Sequence, residues 1–131
     1  MHIPIKISPD HPEPLYRQIT AQLRELILSG QLAPGSALPS IRSLAQHLSC
    51  SVITTRRVYQ ELEQEGLLHT RQGLGTFVAE IEPERRKNVR WETVYKALRE
   101  AVETGQRVDS TPEELRRIFE QVLKEVFHNP K

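Results

Sequence analysis

The 131-residue chain has little of several things that common protein classes need. It has one cysteine, Cys50, so a disulfide within the chain is excluded and a reducing compartment fits. Aromatic residues make up only 5% of the sequence, which argues against a large aromatic-lined ligand cavity. The first residues lack the apolar run of a signal peptide, and no apolar stretch is long enough to span a membrane. We therefore expect a cytoplasmic protein.

Acidic residues are missing from two long windows. None occurs between Glu25 and Glu61 or between Glu65 and Glu80, whereas residues 80–131 carry equal numbers of acidic and basic side chains. The net charge of +1 hides this uneven distribution. A local excess of positive charge is typical of a surface that meets nucleic acid. Chance clustering on an ordinary surface is the alternative.

Residues with the spacing of a catalytic or metal site are also missing. The five histidines are scattered, and none forms a pair with a nearby carboxylate at metal-ligand spacing. The two glycines of the segment R-Q-G-L-G are not a dinucleotide fingerprint, because neither a third glycine nor a following helix is in place. We therefore expect no enzyme activity, no metal and no cofactor.

The first third of the chain predicts an extended segment followed by a helix. Four prolines exclude a helix from residues 1–14, and the alternation of Ile3, Ile5 and Ile7 makes a short edge strand possible. A helix is expected from Pro14, because proline suits the first helical position, to a stop at Gly30. Residues 31–38 form a turn-rich connection.

The next segment predicts two helices that cross steeply. Ser40 suits the N-cap of the first, whose apolar residues recur at helical spacing at Ile41, Leu44, Ala45 and Leu48. Only residues 49–51 separate it from a helix that runs from about Ser51 to Glu65. Such a short connection is typical of a helix-turn-helix. The buried stripe expected on the second of these helices comprises Thr55, Val58, Tyr59 and Leu62.

A hairpin and two amphipathic helices complete the chain. Residues 67–70 and 76–79 read as short strands around the glycine-rich tip. A charged linker from Glu80 to Arg90 leads into a helix that Gly105 should end, and the capping box Thr111 to Glu114 opens the last helix. The fold class is thus mainly α with a small β-hairpin wing. We expect a winged helix-turn-helix domain over 1–79 and an antiparallel helix pair over 80–131.

Three segments carry a specific resemblance, and they read P-L-Y-R-Q-I, L-x-P-G-S-x-L-P-S-I-R-S-L-A and T-T-R-R-V-Y-Q-E-L-E-Q-E-G-L followed by R-Q-G-L-G-T-F-V. Over residues 14–79 the chain resembles the GntR family of bacterial transcription regulators. Its short helical tail resembles that of the YtrA subfamily. The resemblance implies a DNA-binding regulator, with operators in its own promoter region and near transporter genes. The subfamily usually has a polar residue in place of Ile53 and valine in place of Cys50.

Major-groove reading needs hydrogen-bonding or methyl-contacting side chains near the front of the third helix. An outward Ile53 could touch a thymine methyl, although a contact with the second helix is the alternative. For Arg56 and Arg57 the alternative is a solvated helix face. Cys50 is interpreted as a small apolar substitute. The candidates on this helix are Ser51, Ile53, Thr54, Arg56 and Arg57.

Further candidates lie on the second helix and in the wing. Arg42 stands where the family contacts DNA, and Ser40 could meet a phosphate or act as a cap alone. Arg71, Gln72 and Gly73 are similar to the family's minor-groove and backbone contacts, with an ordinary hairpin tip as the alternative.

The tail is expected to form a homodimer, because one helix pair cannot bury its apolar stripe alone. Packing within the chain is the alternative. The leading hypothesis is a repressor that binds double-stranded DNA at an inverted-repeat operator, and a winged-helix module that docks on another protein is the alternative. Any effector, whose identity is unknown, would bind near the tail. The expected interface residues are Trp91, Tyr95, Leu98, Leu115, Phe119, Val122 and Val126.

Overall fold

A computed structural model describes residues 3–128 as five helices and one two-stranded antiparallel sheet. Its packing divides the chain into a first unit that ends at Arg86 and a second that begins at Lys87. The mainly helical fold with a hairpin wing is as predicted. The elements are α1 Leu15–Leu28, α2 Ile41–Leu48, α3 Val52–Gln64, β1 Leu68–Arg71, β2 Gly75–Val78, α4 Pro83–Arg107 and α5 Pro112–His128.

The core of the first unit lies between α1, α2 and α3. Its central side chains are at most 1% exposed, and each is worth about 1.5–3 kcal/mol when fully buried. The predicted stripe of α3, which comprises Thr55, Val58, Tyr59 and Leu62, is buried as expected. The most deeply buried apolar side chains of the three helices are Ile19, Leu23, Ile27, Leu44, Val58 and Leu62.

Two serines cap the starts of α2 and α3. Ser40 Oγ accepts the Ser43 amide at 3.0 Å and caps α2, while Ser51 Oγ accepts the Thr54 amide at 3.0 Å and caps α3. Between them, Ser49 adopts a left-handed conformation with φ of 54°, which ends α2. Residues 49–51 alone therefore connect α2 to α3.

The edge strand expected at residues 3–7 is wrong, because this segment forms no strand. Its alternating burial is real, and Ile3 is buried. Its backbone bonds to side chains of α1: the Lys6 amide donates to Gln22 Oε1 at 2.8 Å, and the Ser8 amide donates to Gln18 Oε1 at 3.0 Å. Glutamine side chains thus satisfy the backbone groups that a neighbouring strand would otherwise pair.

The wing is anchored to the segment before α2. In the hairpin, Leu68 pairs with Val78, and an isolated bridge joins Ala37 to Phe77. The Leu38 amide donates to the Thr76 carbonyl at 2.8 Å, and the Val78 amide donates to the Ser36 carbonyl at 2.9 Å. Residues 36–38, expected to belong to a turn-rich connection, therefore also pair with β2 on the side away from β1.

Helix α4 corrects two expectations. Helix α4 begins at Pro83, inside the expected linker, and it continues through Gly105 to Arg107. Gly105 is buried, and a Cβ atom there would lie 2.6 Å from Leu115 Cδ2. The glycine therefore serves a close approach of α5 and does not end the helix.

The start of α5 is as predicted. Glu114 donates its amide to Thr111 Oγ1 at 3.1 Å and accepts the Thr111 amide at 2.8 Å, which completes the capping box. Within residues 3–128, no helix has the length and apolar character required to cross a bilayer.

Candidate nucleic-acid interface

One face of α3 is open to solvent, and we call its residues Ile53, Arg56, Arg57 and Gln60 the outer face. The buried stripe on the opposite side holds the helix against α1 and α2, so the outer face points away from the core. Ile53 is 77% exposed, which disfavours the alternative that it packs against α2. An exposed aliphatic side chain on a basic helix face is available for contact with a base methyl.

The front of α3 holds two hydroxyl groups in fixed positions. Ser51 Oγ accepts the Thr54 amide and also donates to Thr54 Oγ1 at 2.9 Å. Thr54 is half-buried and Ser51 is exposed. The proton of the Thr54 hydroxyl has no acceptor among the described residues, so it can donate to a partner outside the chain.

Cys50 lies one residue before this cap and is half-buried. Its Sγ lies 3.3 Å from Thr55 Oγ1, and Thr55 Oγ1 also donates to the Ser51 carbonyl at 3.2 Å. The cysteine thus meets a polar partner where an apolar contact was expected. This contact ties the helix-turn-helix turn to the first turn of α3.

The candidate arginines of the helix-turn-helix and wing lack carboxylate partners. Arg42, Arg56 and Arg71 are exposed, and none takes part in the three ion pairs recorded among residues 3–128. Their positive charge is therefore uncompensated at short range, as a surface that receives phosphate groups requires.

The wing tip presents backbone as well as side chains. Arg71, Gln72 and Gly73 are all exposed, and Gly73 has a φ of 81°. The Leu74 amide donates to the Arg71 carbonyl at 2.9 Å, which closes the turn. Positive φ favours glycine, so the alternative role of an ordinary hairpin tip accounts for Gly73 equally well.

Buried Tyr59 ties the start of α2 to α3. Its hydroxyl donates to the Pro39 carbonyl at 2.7 Å, directly before the Ser40 cap. Burial raises the pKa of Tyr59 above its ordinary value, because desolvation disfavours the phenolate. The hydroxyl thus stays protonated and positions Ser40 and Arg42 relative to the outer face.

A contact that the sequence analysis missed joins Arg57 to α1. The Arg57 guanidinium carbon lies 3.7 Å from the centroid of the Tyr16 ring, and its Nη2 donates to the Tyr16 hydroxyl at 3.0 Å. The two residues are 41 positions apart, so no local periodicity could indicate this contact. The only available signal was a tyrosine in the first turn of a helix that packs on α3.

The apolar residues expected at a dimer interface lie in the second unit. Six of them are exposed, with Trp91 at 62% and Val126 at 60%. Trp91 and Tyr95 stack on each other with ring centroids 4.8 Å apart. Leu115 differs, because it is half-buried against Gly105 of the same chain. Helix α5 has no buried residue over its described length.

Comparison with known proteins decides the family. Residues 15–78 match the family described as bacterial regulatory proteins, gntR family. The solved structure of YtrA from Sulfolobus acidocaldarius, a GntR-family transcription factor, is 35% identical with a TM-score of 0.57, and the match covers 72% of this chain and 96% of that one. This chain belongs to the GntR family. The residues that match the family model lie within the first unit.

Two further similar proteins bear on function. The transcriptional repressor YtrA of Bacillus subtilis is 42% identical over 76 residues, which cover 58% of each chain. A structure of the AraR DNA-binding domain in complex with operator ORX1 is 30% identical with a TM-score of 0.53 and covers 60% of this chain and 100% of that one. The chain thus spans little more than half the length of the curated relative.

Proposed function

We propose that this GntR protein is a transcriptional repressor that binds an inverted-repeat operator as a homodimer. The proposal rests on one observation: each unit of the chain has an exposed surface whose charged or apolar side chains lack partners within residues 3–128. The first unit presents exposed arginines without carboxylate partners, and the second presents exposed aromatic and aliphatic side chains. Phosphates would satisfy the first surface, and a second copy of the chain would satisfy the other.

The DNA side of the proposal follows from the geometry of α3. A capped helix braced by α2, with its outer face exposed and basic, suits insertion into a major groove. Arg42 and the wing arginine Arg71 would then approach the backbone on either side. That the AraR domain was crystallised with an operator supports this assignment. The repressor role is supported by the name of the YtrA relative.

The dimer side follows from the cost of exposed apolar surface. Isolated apolar residues are common on protein surfaces, whereas a contiguous apolar set along two helices is typical of an interface. In α4 and α5 the exposed side chains include Trp91, Tyr95, Leu98, Phe119 and Val122. A two-fold dimer through this surface would present two copies of α3, with half-sites about one helical turn apart.

A salt series on selected DNA tests the first half. Operators are selected from random and genomic duplexes, and affinity is measured between 50 and 200 mM salt. If six to ten phosphates are contacted, affinity should fall by about 10³–10⁵ over this range. Equal affinity for every duplex would contradict sequence-specific binding and favour the docking-module alternative.

Two variants test the assignment of residues. Arg42→Ala should abolish operator binding without affecting folding, whereas Arg116→Ala, in an exposed arginine of α5, should leave it unchanged. Wild-type affinity in the first variant would show that Arg42 is not a DNA contact.

The dimer is tested by sedimentation. Phe119→Asp should give monomers, because an ionised carboxylate would be buried in the apolar surface. Val108→Asp, at an exposed valine in the turn between α4 and α5, is the matched control. An unchanged dimer in the Phe119 variant would reject this interface.

A further inference from the structure

Three side chains from α1 and α3 converge on one exposed point, and we call them the Tyr16 cluster. The guanidinium carbon of Arg57 in α3 lies 3.7 Å from the Tyr16 ring centroid, and Arg57 donates to the Tyr16 hydroxyl at 3.0 Å. Arg17 of α1 donates its Nε–H to the same hydroxyl oxygen at 3.3 Å. Two guanidinium groups therefore share one neutral acceptor.

The charge of the cluster is not neutralised by a direct ion pair. Neither Arg17 nor Arg57 takes part in an ion pair among the residues from 3 to 128. Glu13 and Glu61 are the acidic groups that act on Arg17 through space, and neither lies within ion-pair distance of it. With no carboxylate bonded directly to either guanidinium, both keep N–H donors that an external anion can occupy.

The donors that remain are suited to a phosphate. The Tyr16 oxygen already accepts from both arginines, so its own proton is free to donate outward. A guanidinium has five N–H donors in one plane, and the bond to Tyr16 uses one of those on Arg57. The ring contact and the bond to the hydroxyl together hold the Arg57 side chain in place, so less side-chain entropy is lost when an oxyanion binds.

The position of Arg57 favours a phosphate contact over base reading. Arg57 lies on the outer face of α3, but its bond to α1 restricts its reach into a groove that α3 would enter. We infer that the Tyr16 cluster binds one backbone phosphate at the edge of that groove, so that Arg57 sets the register of the protein on DNA and does not choose a base. This inference rests on the proposed DNA-binding function, and it brings the start of α1 into the interface.

The test compares affinity and salt dependence for the selected operator and for an unrelated duplex. Arg57→Ala and Arg17→Ala should each weaken both complexes by a similar factor. If the pair holds one phosphate, Arg57→Ala should reduce the slope of log affinity against log salt by about 0.9. Arg116→Ala, on an exposed face of α5, is the control and should leave both quantities unchanged.

Two tyrosine variants separate the hydroxyl from the ring. Tyr16→Phe keeps the ring under Arg57 and removes the shared acceptor, whereas Tyr16→Leu removes both, so the loss of affinity should be larger in the leucine variant. If the ring acts through Arg57, the double variant Tyr16→Leu/Arg57→Ala should lose less affinity than the sum of the two single losses. A fully additive loss would show that the ring does not act through Arg57. Thermal unfolding of each variant checks that the fold is retained.

The outcomes are distinct. Replacement of one backbone phosphate of the operator by a neutral methylphosphonate should weaken binding by the wild type. The same replacement should not change the affinity of Arg57→Ala. If Arg57→Ala changes which bases are preferred while the salt slope stays the same, Arg57 reads a base and the inference fails, although the proposed function stands. If the wild type itself shows no sequence preference and no salt dependence, the proposed function fails first.

Discussion

Replacement of Ile53 by alanine tests whether an apolar side chain reads the operator. Ile53 is 77% exposed, so about three quarters of its surface is available for burial against DNA. Full burial of an isoleucine side chain is worth about 1.5–3 kcal/mol, which leaves about 1–2 kcal/mol for this contact. At about 1.4 kcal/mol per tenfold change in Kd, the variant should bind the selected operator roughly 5–30-fold more weakly.

The partner on DNA can be altered by a single methyl group. If Ile53 contacts a thymine, replacement of that thymine by deoxyuridine removes the C5-methyl and keeps every hydrogen-bonding group. The loss should be about 0.8 kcal/mol, or roughly fourfold in Kd, for wild-type protein. The same replacement should have no effect on Ile53→Ala, because the apolar contact is already gone.

The assay is a fluorescence-anisotropy titration of duplexes in which each thymine of a half-site is replaced in turn. Val108→Ala, at a valine that is 69% exposed outside the first unit, controls for the general effect of losing surface aliphatic carbon. If no thymine position loses its deoxyuridine sensitivity in the Ile53 variant, the isoleucine does not read a methyl group. Wild-type affinity of Ile53→Ala would refute the contact altogether.

Three further predictions concern stability. Glu65→Gln should lower the free energy of unfolding of the first unit, measured in urea, by about 1 kcal/mol, because Arg24 donates to both Glu65 oxygens at 2.9 and 2.6 Å. The control is Glu113→Gln, at the exposed 4.0 Å pair with Arg116, and it should have no measurable effect. Gly105→Val should destabilise the second unit by about 1–3 kcal/mol in thermal unfolding, because the valine side chain displaces Leu115. Gly105→Ala should be near neutral, since the gain of about 1 kcal/mol in helix propensity offsets the smaller displacement of Leu115. Tyr59→Phe should cost about 1 kcal/mol at neutral pH. Since the pKa of Tyr59 is raised in the folded state, stability should also fall as pH rises above the ordinary tyrosine value of about 10, and Tyr59→Phe should lack that part of the fall; a parallel decline in wild type and variant would refute the role of this phenol.

Local chemistry allowed most helix boundaries to be predicted. The Ser40 cap and the Thr111 capping box depend on residues three positions apart, and both form as the sequence indicates. The stripe of α3 follows from helical periodicity alone. These features depend on neighbours along the chain, so a single sequence contains them.

Features that depend on distant neighbours were missed or misread. Gly105 was expected to end a helix, and its actual reason is the approach of Leu115 from the next helix. The alternation at Ile3 to Ile7 was read as a strand, although the backbone partners are Gln18 and Gln22. In the candidate site, the exposed arginines could be chosen from the sequence, whereas the contact of Arg57 with the Tyr16 ring could not.

The pairing of the wing with the segment before α2 has a mechanical consequence. The Leu38 amide bonds to β2, and Ser40 begins the cap of α2 only two residues later, so hairpin and helix share one short stretch of backbone. Thermal motion should therefore displace the hairpin and α2 together, as one rigid unit. Shortening residues 31–38 would tilt both at once, and it would thereby alter the fit of the two surfaces that we propose to meet DNA.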